Sequence, residues 1–175
     1  ITGGVNLSGT VTPIANKNSI VAALPASILV RGKTNYKNVP KSTDVDKILN
    51  ILRDIGAVID DSDYNNLEID CTNVNKWEID SPESKKFRGS IIFAGPLLAR
   101  FGKAKIPLPG GCVLGKRPIS SHIDVLTECG IAFEYQNGSA IFRVEKPVKK
   151  VRVWQLEASV TATENFAMYA AGSTG

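Results

Sequence analysis

The feature that most restricts this chain is a pattern that comes round twice. Ser90-Ile-Ile-Phe-Ala-Gly-Pro96 lies over Ser19-Ile-Val-Ala-Ala-Leu-Pro25 at a separation of 71 residues, and Gly102-Lys103 over Gly32-Lys33 at 70. Farther on, Ile123, Leu126 and Gly130 lie over Leu49, Leu52 and Gly56 at 74. Self-similarity at a fixed period marks one supersecondary unit used more than once. The step from 70 to 74 places four extra residues between Lys105 and Ile123. A loop lengthened on an otherwise matched scaffold is where function tends to sit.

Within the first unit, Ile20-Val-Ala-Ala-Leu-Pro-Ala-Ser-Ile-Leu-Val30 is too long for a strand and rich in alanine. It predicts a buried helix capped by Asn16 or Asn18 and ended by Gly32-Lys33, with Pro25 kinking it or lying in its first turns. Thr34 to Val39 reads as a strand. Ser42-Thr-Asp44 is an N-cap signal, and Val45, Ile48, Leu49, Leu52 and Ile55 recur at helical spacing up to Gly56. Ala57–Asp60 and Leu67–Cys71 read as a hairpin turning through Asp61–Asn66. The second unit repeats the plan. A third begins at Val151-Arg-Val153 with a helix over Thr163–Ala171 and is truncated at Gly172–Gly175. The fold class expected is α/β, in repeated helix–strand units: two repeats and the start of a third. Residues 1–14 read as extended.

At 175 residues and 43% hydrophobic, the chain can bury an ordinary core. It has no run of eighteen apolar residues, so no membrane span is expected. Ile1-Thr-Gly-Gly is not a signal peptide, and the lack of an initiator methionine reads as an upstream part that is missing. Cys71, Cys112 and Cys129 are odd in number and show no metal-ligand spacing, which fits a reducing cytoplasm and no zinc site. A net charge of +4 without a dense basic stripe argues against nucleic acid and suits small anions. Neither a P-loop nor a dinucleotide fingerprint is present, and one histidine leaves no room for a hydrolase triad, so no cofactor or metal is expected.

The lengthened segment is Leu108-Pro-Gly-Gly-Cys-Val-Leu-Gly-Lys-Arg-Pro-Ile-Ser-Ser-His122. Its glycines and prolines exclude a helix or a central strand. It reads as a loop that presents Cys112 at the surface and leads into a helix capped by the serines. Lys116 and Arg117 close behind would favour the thiolate. Other residues read two ways. Lys17 and Asn18 are a solvated lysine and a cap, or a cation and an amide aimed at an anion beside a helix N-terminus. Arg88 and Arg117 are surface charges, or bidentate binders of phosphate or carboxylate. His122 reads as structural, and Asp44 and Asp46 as capping and surface residues.

Taken together, Lys17-Asn18, Asn38-Val-Pro-Lys-Ser-Thr-Asp-Val45, Arg88-Gly-Ser-Ile, Gly95-Pro-Leu-Leu-Ala-Arg-Phe-Gly102, the Leu108–Pro118 stretch and Ala162-Thr-Glu-Asn165 resemble the UDP-N-acetylglucosamine 1-carboxyvinyltransferases. These are the UDP-GlcNAc enolpyruvyl transferases of bacterial cell-wall synthesis. The resemblance implies the inside-out α/β fold of enolpyruvyl transferases. It also implies transfer of an enolpyruvyl group from phosphoenolpyruvate to the 3-hydroxyl of UDP-N-acetylglucosamine, with phosphate release. Cys112 matches the general acid, which can also form a covalent adduct. Lys17, Arg88 and Arg117 match cations around phosphoenolpyruvate, and Asn18 the amide that orients the sugar. Pro118, Ile119, Ser120 and Ser121, with Ser159, Val160 and Thr161, would line the uridine diphosphate. Ser120 stands where the family often carries an aspartate. Family members are more than twice this length, and their second half supplies the base on the sugar hydroxyl. The resemblance therefore implies that residues 1–14 pair with a missing second domain that completes the cleft, and that residues 15–175 form one domain truncated in its third repeat. The rival readings are a shikimate-pathway enolpyruvyl transferase, and an inactive half-protein that only binds UDP-sugar or a partner.

Overall fold

Asn16 opens the first helix of the first unit. In the computed structural model, which describes residues 3–4, 6, 8–108, 119–146, 148 and 150–173, the Asn16 side chain accepts from the backbone N–H groups of Asn18 and Ser19. It thereby caps α1 (Lys17–Ala26). Pro25 lies in the last turn of α1, not the first, and beyond it the chain tightens into a 3-10 turn over Ser27–Leu29. The helix is therefore shorter than the apolar run that predicts it. β1 (Lys33–Tyr36) also stops early, because Asn38 takes a left-handed φ of 56° that no strand continues through. α2 (Thr43–Asp54) follows its Ser42 cap as expected, and it buries Val45, Ile48, Leu49, Ile51 and Leu52 on one face. β2 (Val58–Asp60) and β3 (Leu67–Asp70) form the predicted hairpin.

The second unit has the same order of elements with one exchange. A 3-10 turn (Arg88–Phe93) now precedes α3 (Ala94–Phe101), and Pro96 sits in the first turn of α3, where its missing N–H costs nothing. The matched prolines thus end one helix and open the other. β4 (Lys103–Pro107), α4 (Ser120–Glu128), β5 (Ile131–Gln136) and β6 (Ser139–Val144) follow. Each unit makes a three-stranded antiparallel sheet with its last strand in the middle, β1-β3-β2 and β4-β6-β5. In the second sheet Phe133 pairs with Phe142, their rings 5.3 Å apart. The serines do not cap α4: its N-cap is Ile119, and no side chain accepts there. α5 (Val160–Ser173) begins three residues earlier than expected, and Val151-Arg-Val153 ahead of it carries no strand.

One apolar cluster runs through both units, from Leu24, Ile48 and Ile69 to Phe93, Leu97, Ile106 and Phe142. Arg100 on α3 fastens the units together, donating to the carbonyls of Ile28, Thr72 and Val74. α3 and α5 pack closely because two glycines let them. A Cβ on Gly95 would lie 2.2 Å from the Asn165 carbonyl oxygen, and one on Gly172 would lie 2.7 Å from the Ala99 Cβ. Among the described residues of 3–14 none lies in a strand, and Val11 and Ile14 are exposed. No helix among the described residues is long and apolar enough to cross a membrane.

Candidate active site

The helix starts carry the candidate residues. Lys17 is the first residue of α1, and its Nζ lies 2.7 Å from Asp44 Oδ2 in the first turn of α2. Both side chains reach solvent. An ammonium has three N–H donors, so a lysine held by one carboxylate keeps capacity for an added anion. Asn18 lends its backbone N–H to the cap, and its side chain is exposed. Sequence reasoning takes Asp44 for a capping or surface residue; its position beside Lys17 depends on the packing of α1 on α2.

Arg88 is half-buried at the start of the 3-10 turn Arg88–Phe93, a segment that packs against α1, α3 and α5. Phe87 folds its ring over Gly89, where a Cβ would lie 2.2 Å from the ring. The Arg88 charge is felt at His122, on α4.

α4 meets α5 at their first turns, so the stretches Ile119–Ser121 and Ser159–Thr161 are brought together. Ser121 Oγ donates to Glu157 Oε2 at 3.0 Å, and His122 Nε2 lies 3.1 Å from Thr161 Oγ1. Ser159 organises the start of α5: its Oγ accepts from the Ala162 N–H, and its own N–H donates to Gln155 Oε1. Beside it lies an open groove of about 380 Å³ formed by residues including Trp154, Ser159, Val160 and Thr163. Ser120 and Val160 are exposed. Cys112, Arg117 and Pro118 lie outside the described residues, so the loop and its thiol have no place in this geometry. Cys71 and Cys129 are buried and free; burial pushes the Cys71 thiol up to about 11 and Cys129 in the same direction. Neither has the character of an activated thiol.

Behind the first turns is a residue to which sequence reasoning gives no role. Asn165 is fully buried, and its carboxamide meets three partners: Oδ1 accepts from the Gly95 N–H at 2.7 Å, and Nδ2 faces the Ile91 carbonyl at 2.8 Å and His122 Nδ1 at 2.9 Å. An asparagine between Ala162 and Tyr169 on an apolar helix face is the available signal, since that residue type belongs in caps and turns unless something holds its amide.

His122 itself is buried, and its pKa is lowered from 6.5 to about 4, by burial first and by the Arg88 charge second. The folded chain takes up this proton at lower pH than the unfolded chain. The stability it contributes is therefore complete above about pH 6.5 and drains as pH falls toward 4. Urea midpoints should show a loss of about 2 kcal/mol between roughly pH 6.5 and 4.5. The His122→Gln variant should lose most of that slope.

The family model for EPSP synthase (3-phosphoshikimate 1-carboxyvinyltransferase) matches residues 1–175, the whole chain. The chain belongs to that family. Among its relatives is the UDP-N-acetylglucosamine 1-carboxyvinyltransferase of Vesicomyosocius okutanii, 38% identical over 175 residues, all of this chain and 42% of that protein. The enzyme of the same name from Campylobacter fetus is 35% identical over 177 residues, again all of this chain and 42% of that protein. The chain thus spans about two fifths of the length of these curated relatives. Among solved structures, the enolpyruvyl transferase NikO from Streptomyces tendae superposes with a TM-score of 0.65 at 22% identity, covering 83% of this chain and 32% of that one. EPSP synthase from Acinetobacter baumannii gives 0.64 at 16% identity, covering 92% and 38%. At such identities the superpositions show the fold, and the family's α/β architecture is the one described above.

Proposed function

We propose that this chain forms one wall of the active site of a UDP-N-acetylglucosamine 1-carboxyvinyltransferase, the first committed step of peptidoglycan synthesis. The observation that carries the reading is the 38% identity, over the whole chain, to a relative of that name. The meeting of Ile119–Ser121 with Ser159–Thr161 supports it, since both stretches are proposed to line the uridine diphosphate.

In this reading Cys112 protonates the methylene carbon of phosphoenolpyruvate while the sugar 3-hydroxyl oxygen adds to the neighbouring carbon. Loss of phosphate from that carbon, with a proton from the new methyl group, then leaves the enol ether. The phosphate and carboxylate charges are offset by Lys17, Arg88 and Arg117. Asp44 holds the Lys17 ammonium at the head of α1. Asn18 orients the sugar. The base on the sugar hydroxyl and the rest of the cleft come from a second domain, which residues 1–14 would join; α5 opens the third repeat. The three cysteines, without disulfide spacing, fit a cytoplasmic enzyme.

Calorimetric titration separates this reading from its rival. Binding of UDP-N-acetylglucosamine but not shikimate 3-phosphate is expected, and the reverse preference would assign the shikimate-type reaction. Within the leading reading, Arg117→Ala should weaken phosphoenolpyruvate first, raising its KM by about tenfold or more through loss of a charge-assisted contact. An unchanged KM would remove Arg117 from that role.

A further inference from the structure

We infer that His122 is a positioning residue that locks the first turn of α4 to the first turn of α5, so that Ile119–Ser121 and Ser159–Thr161 hold one mutual spacing. The inference rests on the reading above, in which these stretches share the sugar nucleotide.

The direction of each hydrogen bond follows from Asn165. Its Oδ1 must face a donor, which is the Gly95 N–H, so its Nδ2 faces the Ile91 carbonyl and His122 Nδ1. His122 Nδ1 therefore accepts, the ring proton is on Nε2, and that N–H donates to Thr161 Oγ1 at 3.1 Å. The imidazole is thus a rigid strut. One end is fixed by a buried amide that also holds the start of α3; the other reaches a residue of the proposed nucleotide site. Ser121 adds a parallel link to Glu157. Among the described residues, Arg88 from the 3-10 turn places a charge near the ring, and Glu157 is engaged by the neighbouring Ser121. The 109–118 segment joins α4 at Ile119, three residues before the strut.

A purely structural histidine and a positioning one respond differently to His122→Asn. The asparagine carbonyl can replace Nδ1 and satisfy Asn165, but it falls short of Thr161. In the intact protein, His122→Asn should keep the parent's thermal midpoint within a few degrees yet loosen UDP-N-acetylglucosamine about tenfold in calorimetry. His122→Ala should lose both. Hydrogen exchange should accelerate together at residues 119–123 and 159–163 in His122→Asn. If the parent binds the nucleotide and His122→Asn binds it equally well, the inference fails while the proposed function stands. If the parent does not bind it, the proposed function fails, and the exchange experiment alone decides whether His122 couples the two turns. Acceleration confined to residues 119–123 would overturn the coupling.

Discussion

Asn165→Ala should destabilise the chain by about 3 kcal/mol or more, enough to shift a thermal midpoint by many degrees. The substitution removes one side chain but takes a partner from three buried groups at once: the Gly95 N–H and His122 Nδ1 lose the amide that meets them, and the Ile91 carbonyl is left with the Ala94 N–H alone. A buried polar group left without a partner costs about 1–3 kcal/mol, and the partial entry of water offsets some of it. Gly95→Ala attacks the same junction from the other helix, because the new Cβ would press on the Asn165 carbonyl. The two substitutions share a partner, so the double variant should lose less than the separate losses combined. Urea denaturation of all three variants checks this. A loss below about 1 kcal/mol for Asn165→Ala would mean that the stranded groups recover partners and that the junction is not a stability centre.

The largest effect on activity is expected at Cys112. With serine there, turnover should fall by about a hundredfold or more, because a hydroxyl is a far weaker proton donor than a thiol and general acid catalysis of this kind contributes about 10²–10⁴. Affinity for UDP-N-acetylglucosamine should stay within about twofold, since the thiol is assigned to the phosphoenolpyruvate carbon. The native chain offers its own control: Cys71 and Cys129 are buried with raised thiol pKa values, so rapid alkylation under native conditions should fall on Cys112 alone. Rapid modification of either buried cysteine would remove the contrast on which this assignment leans.

How far the sequence could be read depended on how local each cause is. The Ser42 cap and the apolar stripe of α2 lie within a dozen residues and predict that helix closely. The hairpin of β2 and β3 is signalled by its polar turn. The apolar run predicts a longer helix than α1 because it does not reveal where Pro25 and the 3-10 turn break its regularity. The Ser120 and Ser121 hydroxyls suit a cap by type, but Ser121 finds Glu157, 36 residues away, instead. The site divides in the same way. Lys17, Asn18, Arg88 and the cysteine loop stand out by residue type and by resemblance. Asp44 beside Lys17 and Asn165 behind His122 become visible only when distant helices are packed together.

The measurement that tests the central claim most directly is phosphate release from phosphoenolpyruvate by the intact protein, with UDP-N-acetylglucosamine or shikimate 3-phosphate as acceptor and Cys112→Ser alongside. The account predicts release by the parent with UDP-N-acetylglucosamine alone, and almost none by Cys112→Ser with either acceptor. Release that survives in Cys112→Ser, or that requires shikimate 3-phosphate, would contradict it.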